Sequence, residues 1–244
     1  AWAEGITGKG VGVAVLDSGI APHPDLTLPA NRIVASVNFA GDLGGMADAG
    51  GHGTHVAGII AGNSAHRDLA GQQSPSLSTN DATHTGYIGV APGANLIDVR
   101  VLDAYGAGRA SSVIAGIQWV IQNREQYNIR VINLSVRAPA TASYRADPLS
   151  AAVEIAWKRG LVVVEAAGNV GPASGGVETP GIDPYAITVG ATDDLGTITS
   201  QDDSLAPFSS WGTPADSTAK PDIVAPGRRI VSLRVPGSYL DRLL

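Results

Sequence analysis

Six short runs rich in Val, Ile and Ala recur along the chain, at residues 10–17, 32–39, 95–102, 130–135, 161–169 and 186–191. Runs of this length, bounded by glycines or polar residues, read as strands buried on both faces. Between them lie stretches of helical period. One runs over about 111–125, with Val113, Ile117, Val120 and Ile121 on one face; another runs over about 147–159, with Leu149, Val153 and Trp157 spaced by four. Strands alternating with helices predict an α/β layered fold with a mostly parallel central sheet flanked by helices. The 44% hydrophobic and 16% charged content is that of a globular chain, and 244 residues are enough to bury one full core. With no repeat or linker in view, a single domain over 1–244 is expected. Its polar stretch at about 63–86 is the best candidate for a mobile insertion. The tail from 192 is turn-rich, with short strands expected at 223–224 and 230–233.

Charge and cysteine content narrow the function. The formal net charge is −6, and Arg228-Arg229 is the longest basic run, which argues against a nucleic-acid surface. The absence of Cys removes thiol catalysis, disulfides and Cys-ligated zinc together. No stretch of 18 apolar residues predicts a membrane span, no signal peptide is evident, and the first residue is Ala1, as in a processed or trimmed chain.

In open α/β sheets active groups gather at the carboxyl ends of strands. Asp17, Asn133, Ser135 and Asn169 fall at such ends. His52 opens the sequence His52-Gly53-Thr54-His55-Val56-Ala57-Gly58, whose small residues suit a buried helix start. A carboxylate, an imidazole and an amide N–H are the groups needed to activate a hydroxyl and hold an oxyanion. His52 and His55 also stand at a spacing compatible with a metal, although no Glu lies between them and no third ligand is near in sequence. His55 reads as a packed helix residue, and His23, His66 and His84 as solvated loop residues without partners. Gly8-Lys9-Gly10-Val11-Gly12 precedes its strand and so lies on the wrong side for a phosphate cradle.

The ordered set of motifs resembles the subtilisin-like serine proteases (subtilases, peptidase S8). Val13-Ala14-Val15-Leu16-Asp17-Ser18-Gly19-Ile20 is similar to the family's aspartate motif, the segment from His52 to its histidine motif, and Ala166-Ala167-Gly168-Asn169 to its oxyanion-hole motif. His23-Pro24-Asp25-Leu26, Phe208-Ser209-Ser210-Trp211-Gly212 and Pro221-Asp222-Ile223-Val224-Ala225-Pro226-Gly227 also match, so the likeness covers nearly the whole chain. The resemblance implies a three-layer fold and an extracellular or cell-envelope endopeptidase acting on protein substrates. In it His52 would be the general base, Asp17 its orienting carboxylate and Asn169 an oxyanion donor. Gly106-Ala107-Gly108 on one side, and Ser135-Val136-Arg137 with Ala166 and Gly168 on the other, would hold extended substrate. Calcium is the family's usual structural ion, with Asp25 at one ligand position and Asp194, Asp202 and Asp203 as a weaker second set; no cofactor is expected for catalysis.

Three departures stand out. The family's nucleophile lies in a Gly-Thr-Ser-Met-Ala segment, and no such segment occurs in residues 1–244, whose only methionine is Met46. The expectation is therefore that the serine lies after residue 244, on a companion C-terminal fragment, and that this chain alone is nearly inactive. A truncated fragment and a catalytically dead peptide-binding module are the alternatives. Arg137 stands where the family usually has Gly beside the specificity pocket, which would narrow that pocket or favour an acidic neighbour in the substrate. Glu165 interrupts an apolar run and, if buried, needs a partner or a raised pKa.

Overall fold

The computed structural model describes residues 1–41, 48–66, 88–171, 176–197, 199–214 and 219–243. Most of the expected insertion, together with His84, lies outside the described residues. The chain forms two compact units, one of residues 1–116, 122–130 and 231–244, the other of 117–121 and 131–230.

In the first unit β1 (Gly12–Asp17) and β2 (Ile33–Asn38) both pair in parallel with β3 (Asn95–Arg100), which places Asp17 opposite Arg100. Every residue of β1 is buried, and Ala14, Leu16, Leu96, Ile97 and Val99 are fully excluded from solvent. Apolar side chains on both faces are what a doubly covered strand requires. The short helix α1 (Pro24–Thr27) precedes β2, and α2 (His52–Ala61) buries its small residues Gly53, Ala57, Gly58 and Ala61, Gly53 against the end of β1 and Gly58 against Ser232 and Leu233. Helix α3 (Ala110–Asn123) comes equally close: a Cβ at Gly116 would stand 3.0 Å from Val99 and Val101 side-chain carbons.

In the second unit β4 (Ile129–Leu134), β5 (Val162–Ala166), β6 (Ile187–Asp193) and β8 (Ile223–Pro226) run parallel in sequence of pairing. The two-residue β7 (Ser204–Leu205) adds an antiparallel edge to β6. Helix α4 (Pro148–Lys158) begins with Asp147 accepting a 2.8 Å hydrogen bond from the Leu149 N–H and with Pro148 in its first turn, where a missing N–H costs nothing. The mostly parallel sheet flanked by helices agrees with the sequence reading.

Three local expectations need correction. The buried stripe of α4 runs Leu149, Val153, Ala156, at true helical spacing, and leaves Trp157 39% exposed. Residues 230–233 form no strand: Ser232 Oγ instead donates 2.7 Å to the His55 carbonyl, using the segment to cover α2. Strand β5 ends at Ala166, not Asn169, because Gly168 takes φ 110°, which leaves the extended region.

Candidate active site

The first unit assembles a carboxylate–imidazole pair. Asp17 is 1% exposed at the end of β1, and its Oδ1 accepts from the Ser18 N–H at 2.7 Å. His52, the first residue of α2, places Nδ1 2.7 Å from Asp17 Oδ1 and 2.9 Å from Oδ2. With Nδ1–H donating to the carboxylate, Nε2 is left as the basic nitrogen. The hydrogen bond to Asp17 raises the His52 pKa above its ordinary value; burial opposes the shift and the charge of Asp48 adds to it. Among the described residues the His52 side chain makes no other hydrogen bond.

Close approach of α2 to β1 depends on Gly53. A Cβ there would fall on the Gly19 carbonyl oxygen and 3.1 Å from the Asp17 Cβ. Small residues on the first turn are therefore what lets His52 reach Asp17.

Asp48 is a member of this site that no sequence motif singled out. It is fully buried. Oδ1 accepts from Ser18 Oγ at 2.8 Å and from the Gly51 N–H at 2.7 Å, while Oδ2 accepts from the Thr54 N–H and Thr54 Oγ1, both at 2.8 Å. Ser18 Oγ in turn accepts from the Gly53 N–H at 3.0 Å, and Thr54 Oγ1 from the Ala21 N–H at 2.8 Å. One carboxylate thus ties the residue after Asp17 to both sides of His52, and it sits at the positive end of α2. An acid four residues before the histidine was the available signal.

The Gly106–Gly108 segment turns on Asp103, whose Oδ1 accepts from the Tyr105 and Ala107 N–H groups at 2.8 and 3.0 Å. Gly108 bridges Leu102 in antiparallel fashion, and residues 106–108 are exposed.

The second unit carries the other predicted residues. Asn169 is exposed, and its side chain makes no hydrogen bond to a described residue. Its backbone N–H donates 3.1 Å to Glu178 Oε2. Ser135 Oγ accepts from Asn133 Nδ2 at 2.9 Å, Val136 is buried, and Arg137 forms an ion pair with Glu178 at 2.8 and 3.0 Å. Ala166 and Gly168 lie on the segment that Glu178 faces, and the Glu178 N–H donates to the Ala167 carbonyl. Arg137 is therefore no unpaired cation.

Glu165 is 2% exposed, and neither carboxyl oxygen meets a hydrogen-bond partner among the described residues. Burial, followed by the charge of Asp183, pushes its pKa well above the carboxylate range, with Lys220 opposing. Of the two expected escapes, this carboxyl takes the raised pKa.

The histidines taken as solvated have partners. His23 Nδ1 caps α1, accepting from the Asp25 N–H, and His66 donates to Asp25 through its backbone N–H at 2.7 Å and through Nδ1 at 2.8 Å from both oxygens. Calcium takes six to eight oxygen ligands. Among the described residues the Asp25 carboxylate accepts from His66, and Arg32 donates to the Asp25 backbone carbonyl. Asp202 accepts from Thr197 Oγ1 and Asp194 from the Gly196 N–H; among the described residues no group of three His, Asp or Glu side chains is arranged to hold a metal.

The sequence pattern that defines the subtilase family (peptidase S8) matches residues 8–242. The chain belongs to the subtilase family. This subtilase is 43% identical over 243 residues to the serine protease AprX of Bacillus subtilis (strain 168), covering 98% of the chain and 51% of that protein. It is 38% identical over 235 residues to subtilisin Savinase of Lederbergia lenta, covering 96% of the chain and 70% of the relative. Several of these relatives are about twice as long as the segment they share with it. Among solved structures, a psychrophilic protease designated S41 superposes with a TM-score of 0.74 at 29% identity, covering 95% of this chain and 71% of that one. Sphericase superposes at 0.70 and 27% identity with the same coverage. Among the described residues no helix is long and apolar enough to cross a membrane.

Proposed function

We propose that the chain is the base-bearing part of a subtilisin-like serine endopeptidase that cleaves protein substrates outside the cytoplasm. The observation that carries this reading is the contact between a buried Asp17 carboxylate and His52 Nδ1 at 2.7 Å, which fixes the imidazole with Nε2 as proton acceptor. In the proposed reaction Nε2 takes the hydroxyl proton of a serine as that oxygen attacks the scissile carbonyl carbon. It then gives the proton to the leaving amine nitrogen as the C–N bond breaks, leaving an acyl-serine that water hydrolyses by the same route. Asp17 stabilises the transient imidazolium, and the Asn169 side-chain amide donates to the oxyanion.

The serine is proposed to lie after residue 244, on continuing sequence or a companion fragment. No described serine hydroxyl bonds to His52, and Ser18, the nearest in sequence to Asp17, is committed to Asp48 and Gly53. Residues 1–244 alone are accordingly expected not to turn over peptides. Extended substrate would pair with the exposed segment Gly106–Gly108 and with 135–137. A structural calcium at Asp25 would have to take that carboxylate from His66.

A peptidyl phosphonate applied to the purified protein in its full natural length tests this. Covalent labelling at a serine beyond 244, lost on His52→Ala, is the expected result. No labelling, with extended peptides still bound, would replace the enzyme by a peptide-binding module.

A further inference from the structure

Glu178 is a buried acidic residue of the second unit that the proposed reaction leaves without a task. Its backbone is stitched on both sides: its N–H donates to the Ala167 carbonyl, while Ala138 and Thr179 exchange two hydrogen bonds of 3.0 and 2.9 Å. The side chain is only 8% exposed, and Oε2 also accepts from the Asn169 N–H at 3.1 Å. Gly168 makes room for it, since a Cβ at that position would strike the carboxylate. The carboxylate is therefore held between the segments following β4 and β5, at strand carboxyl ends where α/β sheets bind ligands.

Its counter-cation is held differently. The Arg137 side chain is 47% exposed and meets Glu178 through Nη1 alone. A half-exposed pair of this kind is displaced at little cost, whereas a carboxylate shut in without a cation is unfavourable. We propose that Glu178 is a specificity-determining residue for the reaction proposed above, and that Arg137 is a resident cation replaced there by a substrate Lys or Arg on the amino side of the scissile bond. This rests on the protease reading for its substrate and on Glu178 alone for its chemistry. It reverses the preference for an acidic neighbour that Arg137 alone suggested.

Two measurements test it separately. On the full-length protein, peptides differing only at that position should be cleaved with Arg and Lys preferred over Glu. Arg137→Ala should raise kcat/KM for Arg and Lys peptides a few-fold relative to the value for a Leu peptide. Glu178→Gln should lower the Arg and Lys values by about tenfold and leave Leu unchanged. An identical profile in Glu178→Gln, or an equal gain for Leu in Arg137→Ala, overturns the assignment. The second measurement needs no turnover: butylguanidinium is titrated into isotope-labelled protein. It should shift the Asn169 and Glu178 amide resonances in Arg137→Ala and leave them unmoved in Arg137→Ala/Glu178→Gln. No shift in the single variant overturns the proposal even if no peptide is cleaved; absent cleavage with an intact shift refutes only the protease reading.

Discussion

Replacing Asp48 by Asn changes one oxygen to an NH2 group in a fully buried site that receives four hydrogen bonds. If the amide nitrogen takes the Oδ2 position, it faces the Thr54 N–H; if it takes Oδ1, it faces the Gly51 N–H. Hydroxyls can turn to accept, but a backbone N–H cannot, so either orientation leaves donor against donor. An unsatisfied buried amide costs about 1–3 kcal/mol, and the remaining bonds weaken because the acceptor is no longer charged. Loss of the negative charge at the start of α2 adds about 0.3–1 kcal/mol. The two quantified contributions alone give about 1.3–4 kcal/mol, a large share of the stability of an ordinary domain. Urea unfolding of Asp48→Asn beside the parent measures this directly. A loss below about 1 kcal/mol would show that the network is not what holds α2 in place. The same variant should lower the His52 pKa, read from its imidazole proton shift, because Asp48 contributes to raising it.

Other consequences are sharper in sign than in size. Because the folded pKa of His52 is raised, its pairing with Asp17 adds stability that is complete below about pH 6.5 and is lost as pH rises through the folded value; proteolysis runs the opposite way, appearing as the imidazole loses its proton. Asp17→Asn should abolish that elevation and lower kcat by ~10⁴-fold in a peptide assay of the full-length protein. Gly53→Ala should cost about 1–3 kcal/mol in thermal unfolding and weaken the His52 to Asp17 hydrogen bond, seen as an upfield move of the Nδ1 proton. Burial pushes the Asp98 carboxyl up to about 7, opposed only in part by Ser36, the Ile20 backbone and Arg100. Its neutral form is thus favoured on folding, so stability should fall from about pH 4 to pH 7, and Asp98→Asn should flatten that slope and gain stability at pH 8.

The sequence made the strands and the two chemical residues of the first unit legible for a shared reason. Asp17 and His52 each stand where an apolar run meets glycine, and such boundaries are local. Helix α2 was visible as a start at His52 because its small residues announce a close approach. Asp48 was not, since nothing local distinguishes an acid that gathers four donors from one that is solvated. Its role is defined by Ser18, 30 residues away. The same holds for Glu178, whose partner Arg137 lies 41 residues upstream. The phase error that put Trp157 on the buried face of α4 came from counting in strict fours where a helix advances 3.6 residues per turn. Residues 230–233 were taken for a strand because β-branched side chains cover a helix as well as they line a sheet.

Helix α2 is tied at both ends to distant chain. At its start the Gly51, Gly53 and Thr54 amides are held by Asp48 and Ser18. At its finish the Ile59, Ile60 and Ala61 carbonyls accept from Val90, Ala91 and Arg32. A helix normally frays first where its terminal amides and carbonyls have only water, and hydrogen exchange there is fast. In α2 the Gly51, Gly53 and Thr54 amides should exchange only when the surrounding unit opens. The histidine on its first turn therefore has no locally melted state, and proton-transfer geometry and global stability should be lost at one midpoint.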